Sequence, residues 1–237
     1  PILDELVKDK PRIILMNKCD YADEAATRAW KQFYEKKGIR VLTCDCRSGK
    51  GLNAFLPEVK RLLAELIERR KKRGMIGKAL RLMVVGIPNV GKSSFINRMA
   101  KTKKTKVGDK PGVTRGKQWV SIDKDVELLD MPGILWPKFD DQLAAQRLAF
   151  TGAIKDDVMD TEALARALGA VLKEQYPELL NARYKLTGDE DILRDIAKSR
   201  GMLVSGGEPD TERAAAALLD EYRGGKIGRI TLEKPGR

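Results

Sequence analysis

A phosphate-binding loop is the feature that most limits how this chain can fold. Residues 86–93 read Gly-Ile-Pro-Asn-Val-Gly-Lys-Ser, which is a glycine, any four residues and then Gly-Lys-Ser. An apolar run at 80–85 precedes the loop and a helical pattern follows it, which is the context that the motif requires. The backbone N–H groups of such a loop and the positive end of the following helix surround a phosphate anion. The sequence therefore predicts a nucleotide site within an α/β fold.

The side chains of this loop have defined expected roles. Gly91 lets the backbone approach the phosphates, Lys92 reaches the β and γ phosphates, and the Ser93 hydroxyl can ligate Mg²⁺. Val90 and Ser94 flank these residues and belong to the same predicted binding set. Lys92 is also predicted to be catalytic, because its charge can stabilise the charge that develops on a transferred phosphoryl group.

The motif Asp-Met-Pro-Gly at 130–133 follows the apolar run 126–129 and indicates a second part of the phosphate site. Asp130, at the end of a strand, can hold Mg²⁺, and the Gly133 N–H can contact the γ phosphate and assist catalysis. Thr114 is a candidate switch threonine, with a catalytic and Mg²⁺-binding role; an ordinary turn threonine is the alternative.

The motif Asn-Lys-Cys-Asp at 17–20 ends the first apolar run and resembles the Asn-Lys-x-Asp motif of GTP-binding proteins. The Asp20 carboxylate can accept hydrogen bonds from the guanine N1–H and exocyclic amine, which adenine cannot offer. Asn17 can hold the loop and the base, and the Lys18 stem can cover the ring. A turn rich in Asn and Asp is the alternative, but the phosphate loop in the same chain favours GTP and GDP as ligands.

The fifth motif of GTP-binding proteins is expected directly after the second predicted strand. The sequence there is Cys-Asp-Cys rather than the usual Ser-Ala pair, so Asp45 and Cys46 are assigned to GTP binding by position only. The guanine motif and the fifth motif thus precede the phosphate loop, the switch threonine and Asp-x-x-Gly, which is a permuted order. A fold tolerates circular permutation where the old termini lie near each other at the surface.

This order, with Pro-Gly-Val-Thr at 111–114 and Asp-Met-Pro-Gly-Ile-Leu-Trp-Pro at 130–137, resembles the circularly permuted YlqF family, ribosome biogenesis GTPase A. The resemblance implies a permuted P-loop GTPase domain at 1–139, with a mostly parallel sheet and helices on both faces. It also implies a small, mainly helical RNA- or ribosome-binding domain at 140–237. Family members begin with a segment that includes a strand and a Trp-Phe-Pro-Gly-His stretch, whereas this sequence has no histidine. We therefore expect the family's first strand, which belongs inside the sheet, to be missing here.

The resemblance implies hydrolysis of GTP to GDP and phosphate in late assembly of the large (50S) ribosomal subunit, with stimulation by that subunit and its rRNA. The net charge of +12 supports a polyanionic partner, and the basic residues at 69–73 and 101–110 are candidate contacts. For each cluster alone, an ordinary solvated charged face is the alternative. No apolar stretch reaches the roughly 20 residues of a membrane span. We expect a cytoplasmic protein with neither a membrane nor DNA as its partner. A GTP-binding RNA scaffold and a signalling switch unrelated to the ribosome are the alternatives.

The residue after Asp-x-x-Gly bears on the mechanism. Signalling GTPases place a glutamine there to orient the attacking water, but this chain has Ile134, which has no polar side-chain atom. Asn89 stands in the phosphate loop where potassium-dependent GTPases keep an asparagine that ligates K⁺. A K⁺ ion at this place would stabilise developing charge as an arginine finger does. An asparagine that only stabilises the loop turn is the alternative.

Hydrophobic periodicity divides the chain into a strand-rich first part and a helical second part. Strands are predicted at 12–16, 39–44, 80–85, 117–122 and 126–129, with a last short strand at 227–233. Helices are predicted at 23–37, 52–70, 141–154, 161–175, 189–200 and 210–222.

Overall fold

The structure is a computed structural model, which describes residues 7, 10–75, 77–101, 118–131, 141–154, 160–188 and 190–236. Its strands are β1 (Ile13–Met16), β2 (Arg40–Thr43), β3 (Leu80–Val84), β4 (Gln118–Asp123) and β5 (Val126–Asp130). Its α-helices are α1 (Glu24–Lys36), α2 (Phe55–Leu62), α3 (Ala64–Lys72), α4 (Lys92–Lys101), α5 (Gln142–Phe150), α6 (Thr161–Gln175), α7 (Pro177–Tyr184), α8 (Ile192–Ser199) and α9 (Thr211–Arg223). A short 3-10 turn, Leu52–Ala54, precedes α2.

The strands that precede the predicted motifs pair with one another in parallel. β1 pairs with β2 in parallel, with Ile14 opposite Val41, and β3 pairs with β5 in parallel, with Val84 opposite Asp130. β4 runs antiparallel to β5, so the described strands form one sheet of order β1-β2 and another of order β3-β5-β4. The carboxyl ends of parallel neighbours meet at one edge, where ligands of open α/β folds bind.

One hydrophobic core joins these strands to the helices around them. Phe55 of α2 and Phe95 of α4 meet edge to face, with their ring centroids 4.9 Å apart. Such a pair contributes about 0.5–1.5 kcal/mol beyond the burial of its area. The buried members of this core are Leu42, Cys44, Cys46, Leu52, Phe55, Val59, Leu80, Phe95, Ile96, Met99, Ile122, Val126 and Leu128. This packing fixes α4, the helix that begins at the phosphate loop.

A second hydrophobic core lies among the C-terminal helices. Helices α5, α6, α8 and α9 each begin after an aspartate whose carboxylate accepts a backbone N–H from the first turn. Asp160, for example, accepts from the Ala163 N–H at 2.9 Å. The buried members of this core are Ala149, Phe150, Leu164, Ala165, Leu168, Leu172, Leu180, Tyr184, Leu193, Ile196, Ala197, Ala214, Ala215, Leu218, Leu219, Ile227 and Ile230.

Two helix predictions need correction. The helix predicted at 52–70 is divided at Leu63, which ends α2 and precedes α3, although no glycine or proline stands at the break. The pattern also misses α7, because the apolar residues of this short helix are not confined to one side. The helix begins directly at Pro177, a residue that suits the first helical turn.

The strand predicted at 227–233 is wrong, because this tail is bonded to a loop instead of a neighbouring strand. The Ile230 N–H donates to the Tyr21 carbonyl at 2.8 Å, and the Asp23 N–H donates to the Thr231 hydroxyl at 3.1 Å. Isolated bonds of this kind do not make a ladder. They attach the C-terminal tail to the segment that follows the guanine motif.

The predicted boundary between domains 1–139 and 140–237 falls within 132–140, which lies outside the described residues, and it stays a prediction. Within the ranges given above, no helix is both long enough and apolar enough to cross a membrane.

Candidate functional site

A cavity of about 400 Å³ gathers residues from distant parts of the chain. It opens where β1, β2 and β3 lead into their loops, and α4 begins in its wall. The lining residues are Asn17, Lys18, Asp20, Tyr21, Asp45, Cys46, Arg47, Asn89, Gly91, Lys92, Ser93, Ser94 and Arg223. Most of the predicted GTP-binding set therefore meets in one place.

Asn17 connects the guanine motif to both neighbouring loops. Its Nδ2 donates to the Val90 carbonyl at 2.8 Å, and its Oδ1 accepts from the Cys46 N–H at 3.1 Å. Val90 itself is not part of the cavity wall and takes part through this carbonyl. A single side-chain amide therefore holds the guanine motif, the phosphate loop and the loop after β2 in fixed relative positions.

Gly91 is required by this arrangement. It has φ +96°, a left-handed conformation that glycine adopts readily. A Cβ at this position would lie 2.2 Å from Asn17 Nδ2, which is a severe overlap. The glycine that the motif needs for close phosphate approach is thus also needed for the approach of Asn17.

Asp20 lines the cavity and carries an acceptor that no described residue uses. Its Oδ1 is buried, and no donor from the described ranges forms a hydrogen bond to it. A buried polar atom without a partner costs free energy, about 1–3 kcal/mol. An N–H donor from a bound ligand would remove that cost.

Lys92 is folded back onto its own loop. Its Nζ donates to the carbonyls of Gly86 and Ile87, both at 2.8 Å. Burial lowers the pKa of the Lys92 ammonium, while the Asp130 carboxylate acts on that pKa in the opposite direction. Asp130 pairs with Val84, the last residue of the strand that leads into the phosphate loop, so the end of β5 lies beside that loop. Ser93 and Ser94, on the first turn of α4, complete this part of the wall.

The loop after β2 is stiffened by its own aspartate. The Asp45 carboxylate accepts from the Arg47 N–H at 2.7 Å and from the Ser48 N–H at 3.1 Å. Bonding to the Ser48 side chain, with these N–H groups, lowers the pKa of Asp45. Arg98 of α4 donates to the Ser48 carbonyl, so the loop is also tied to the helix that follows the phosphate loop.

Two predicted catalytic residues, Thr114 and Gly133, lie outside the described residues.

Three residues in the cavity wall are absent from the predicted set: Tyr21, Arg47 and Arg223. Tyr21 directly follows the predicted Asp20, and Arg47 directly follows the predicted Cys46. The Arg47 Nη1 donates a hydrogen bond to the Tyr21 hydroxyl at 2.6 Å. Extending each motif by one residue finds both. No local pattern points to Arg223, which comes from the last helix.

Comparison with known proteins identifies the family. A family model described as "50S ribosome-binding GTPase" matches residues 81–182. A protein of Bacillus licheniformis named Ribosome biogenesis GTPase A is 46% identical over 242 residues, which cover 99% of this chain and 84% of that protein. The chain belongs to the ribosome biogenesis GTPase A family. A Thermotoga maritima protein of the same name is 34% identical, with 95% of this chain and 77% of that protein covered.

A solved structure shows that the likeness extends to the fold. The structure of GNP-bound YlqF from T. maritima matches the structure of this chain with a TM-score of 0.62 at 29% identity, covering 94% of this chain and 82% of that one. The predicted α/β fold of a circularly permuted P-loop GTPase is thereby confirmed. As a member of the ribosome biogenesis GTPase A family, the chain is an enzyme that binds and hydrolyses GTP.

Proposed function

We propose that this GTPase acts in late assembly of the large ribosomal subunit, where the subunit and its rRNA stimulate hydrolysis. The observation that carries the GTP-dependent part of this proposal is the meeting of the guanine motif and the phosphate loop in one cavity through Asn17. The ribosomal setting is supported by the names of the relatives and by the family model. We further propose a cytoplasmic location.

The base-binding part of the proposal is supported by the acceptor on Asp20. Guanine presents an N1–H and an exocyclic amine side by side, and the two oxygens of one carboxylate can accept both. Asp20 Oδ1 is buried and has no donor among the described residues, so adenine, which has no matching donors, would leave it unpaired. Lys18, Asp45 and Cys46 line the same cavity and would complete the base-binding walls.

The phosphate-binding part is supported by Lys92, Ser93 and Asp130. Lys92 would exchange its bonds to the loop carbonyls for bonds to the β and γ phosphates. Mg²⁺, when bound with the nucleotide, supplies charge that neutralises the phosphate oxygens. The Ser93 hydroxyl, the Asp130 carboxylate and Thr114 would hold it, since oxygen donors suit this ion. Gly133 would donate its N–H to the γ phosphate.

Magnesium bound with a nucleotide needs few protein ligands. Among the described residues, no group of three or more His, Cys, Asp or Glu side chains could hold a metal by itself. Mg²⁺ in such sites is held by one or two carboxylates together with substrate phosphates and water, and Asp130 is the one carboxylate of the proposed ligand set.

Asn89 is proposed as a K⁺ ligand. Its Nδ2 donates to the Gly152 carbonyl, which assigns the amide nitrogen to that contact. The amide oxygen, the atom that can ligate a cation, is then the part of the side chain left for K⁺.

Contact with rRNA is supported by an exposed basic surface at the end of α3. Arg69, Lys71, Lys72 and Arg73 are exposed there, and Lys78 is exposed shortly after. Clustered cations bind phosphate backbones without regard to base sequence. The second predicted contact is the lysines at 101–110, and all of them except Lys101 lie outside the described residues.

The domain arrangement belongs to the same proposal. The switch segment that begins at Asp130 leads directly into the helical domain proposed at 140–237. Since such switches are ordered by the γ phosphate, the nucleotide state would reposition the C-terminal helices as an effector arm.

Phosphate release measured with and without large ribosomal subunits tests this function. We expect slow release by the protein alone and a marked increase with large subunits, but not with small subunits. Lys92→Ala is the matched inactive control. No increase with large subunits would favour a signalling switch, and GTP binding without release under any condition would favour an RNA scaffold.

A further inference from the structure

The C-terminal part of the chain reaches the cavity and its phosphate loop at two points. Asn89 Nδ2 donates to the carbonyl of Gly152, which lies just after α5. Arg223, at the end of α9, lines the same cavity as Gly91 and Lys92. The nucleotide site is thus bounded by a helix whose residues are far from every nucleotide motif in the sequence.

Gly152 shows how close Arg223 lies to the phosphate loop. A Cβ placed on this glycine would lie 3.3 Å from Arg223 Nε and 3.4 Å from Asn89 Nδ2. Both side chains therefore approach one point, from the last helix and from the phosphate loop. Gly152 has φ +71°, so glycine suits this position by conformation as well as by size.

The guanidinium of Arg223 is held in a defined place. Its Nε donates to the Phe150 carbonyl at 3.0 Å and its Nη2 donates to the Ala149 carbonyl at 2.9 Å. Ala149 and Phe150 are fully buried, so the carbonyls at the end of α5 form a rigid base for the arginine. A side chain that is fixed beforehand loses less conformational entropy when it binds a ligand.

The chemistry of arginine suits the ligand of this cavity. The guanidinium stays charged at any working pH, and its planar donors match phosphate oxygens. We propose that Arg223 contacts the nucleotide phosphates, so that the C-terminal helices complete the nucleotide site. This inference rests on the proposed assignment of the cavity as the GTP site, and it adds a phosphate-binding residue from outside the GTPase motifs.

Two substitutions separate a phosphate contact from a purely structural role. Arg223→Lys keeps the charge but cannot bridge the two carbonyls as the guanidinium does, whereas Arg223→Gln removes the charge. The affinities for Mg·GDP and a non-hydrolysable Mg·GTP analogue are measured beside the thermal midpoint of the nucleotide-free protein. Arg147→Gln is the matched control, because Arg147 lies on α5 and pairs with Glu233 outside the cavity wall.

We expect Arg223→Gln to weaken both affinities about tenfold or more, as loss of a charged hydrogen bond implies. Arg223→Lys should lose less affinity than Arg223→Gln, because it keeps the charge, even where its thermal midpoint falls as far as that of the Gln variant, and Arg147→Gln should bind as the native protein does. Native affinity in Arg223→Gln, or equal losses in both variants that follow the thermal midpoint, would overturn the inference.

A second measurement serves if Arg223→Gln does not fold. The NMR signal of the Arg223 Nε–H in the native protein is followed during titration with Mg·GDP and with guanosine. We expect a shift with Mg·GDP that guanosine does not cause, and the same response to both would refute the phosphate contact. Failure of the underlying assignment of the cavity as the GTP site would give a different result. In that case the native protein would not bind GDP, or Lys92→Ala would bind GTP normally.

Discussion

The side-chain amide of Asn17 donates to the backbone carbonyl of Val90 at 2.8 Å, although the two residues are 73 positions apart. This bond joins the guanine motif to the phosphate loop. The guanine motif comes before the loop in this chain, whereas it comes after the loop in unpermuted GTPases. The relative position of the two motifs depends on this contact and on the common cavity, and not on which motif comes first. The permuted order of the motifs is therefore compatible with a single nucleotide site.

Asp20→Asn should change base preference from guanine to xanthine. The amide can donate to the xanthine C2 carbonyl, whereas the native carboxylate accepts from the guanine amine. Competition between GDP and xanthosine diphosphate measures the change. Asp125→Asn is the control, since that carboxylate lies 3.4 Å from Lys60 on the protein surface and not in the cavity. Equal native affinity for ATP and GTP would contradict the assignment of Asp20.

Lys92→Ala should reduce GTP turnover by about 2–4 kcal/mol of transition-state stabilisation, because it removes a charge-assisted contact to the phosphates. Single-turnover hydrolysis on the ribosome gives the rate. Ser93→Ala should instead raise the Mg²⁺ concentration needed for half-maximal turnover. A native rate in either variant under these conditions would mean that the phosphate site is misassigned.

Hydrolysis should be faster in K⁺ than in Na⁺ at constant ionic strength, measured first without ribosomes because RNA binding is itself sensitive to salt. Asn89→Ala should abolish the difference and leave GDP affinity nearly unchanged. Asn89 has φ +60°, which alanine tolerates poorly, so Asn89→Gly is the better-matched variant because it keeps the backbone conformation. If both variants keep the preference for K⁺, Asn89 only stabilises the loop.

Glu221 should make the protein sensitive to acid. Hydrogen bonding from Arg183, followed by bonding from the Tyr184 hydroxyl, lowers the pKa of Glu221 from 4.5 to about 2. A carboxyl whose pKa is lower in the folded than in the unfolded state stabilises the folded state at pH values above its unfolded-state pKa. For Glu221 this stabilisation is lost as the pH falls from about 4.5 to about 2. The difference in pKa corresponds to about 3 kcal/mol.

Urea unfolding of native protein and Glu221→Gln at several pH values tests this expectation. The two free energies of unfolding should differ most at neutral pH and converge as the pH falls through about 2, where the native carboxyl becomes protonated as well. A difference that stays constant over this range would show that the carboxyl is not stabilised by its charge.

Local patterns in the sequence were sufficient for features that depend on neighbouring residues. Helix α6 occupies 161–175 as predicted, because Asp160 caps its start and its apolar residues recur at helical spacing. The loop before α4 was predictable for the same reason, since phosphate binding requires specific residue types at consecutive positions. The nucleotide class and the permuted order could likewise be predicted from the motifs.

Only the tertiary structure decided which distant residues meet. Spacing along the chain does not encode that Asn17 reaches Val90, or that the tail at Ile230 bonds to Tyr21 instead of forming a strand. Arg223 is the clearest case, because its position in the cavity depends on how α9 packs against the end of α5. Contacts of this kind arise from the packing of whole helices, whose relative placement is set by the buried cores and not by any local run of residues.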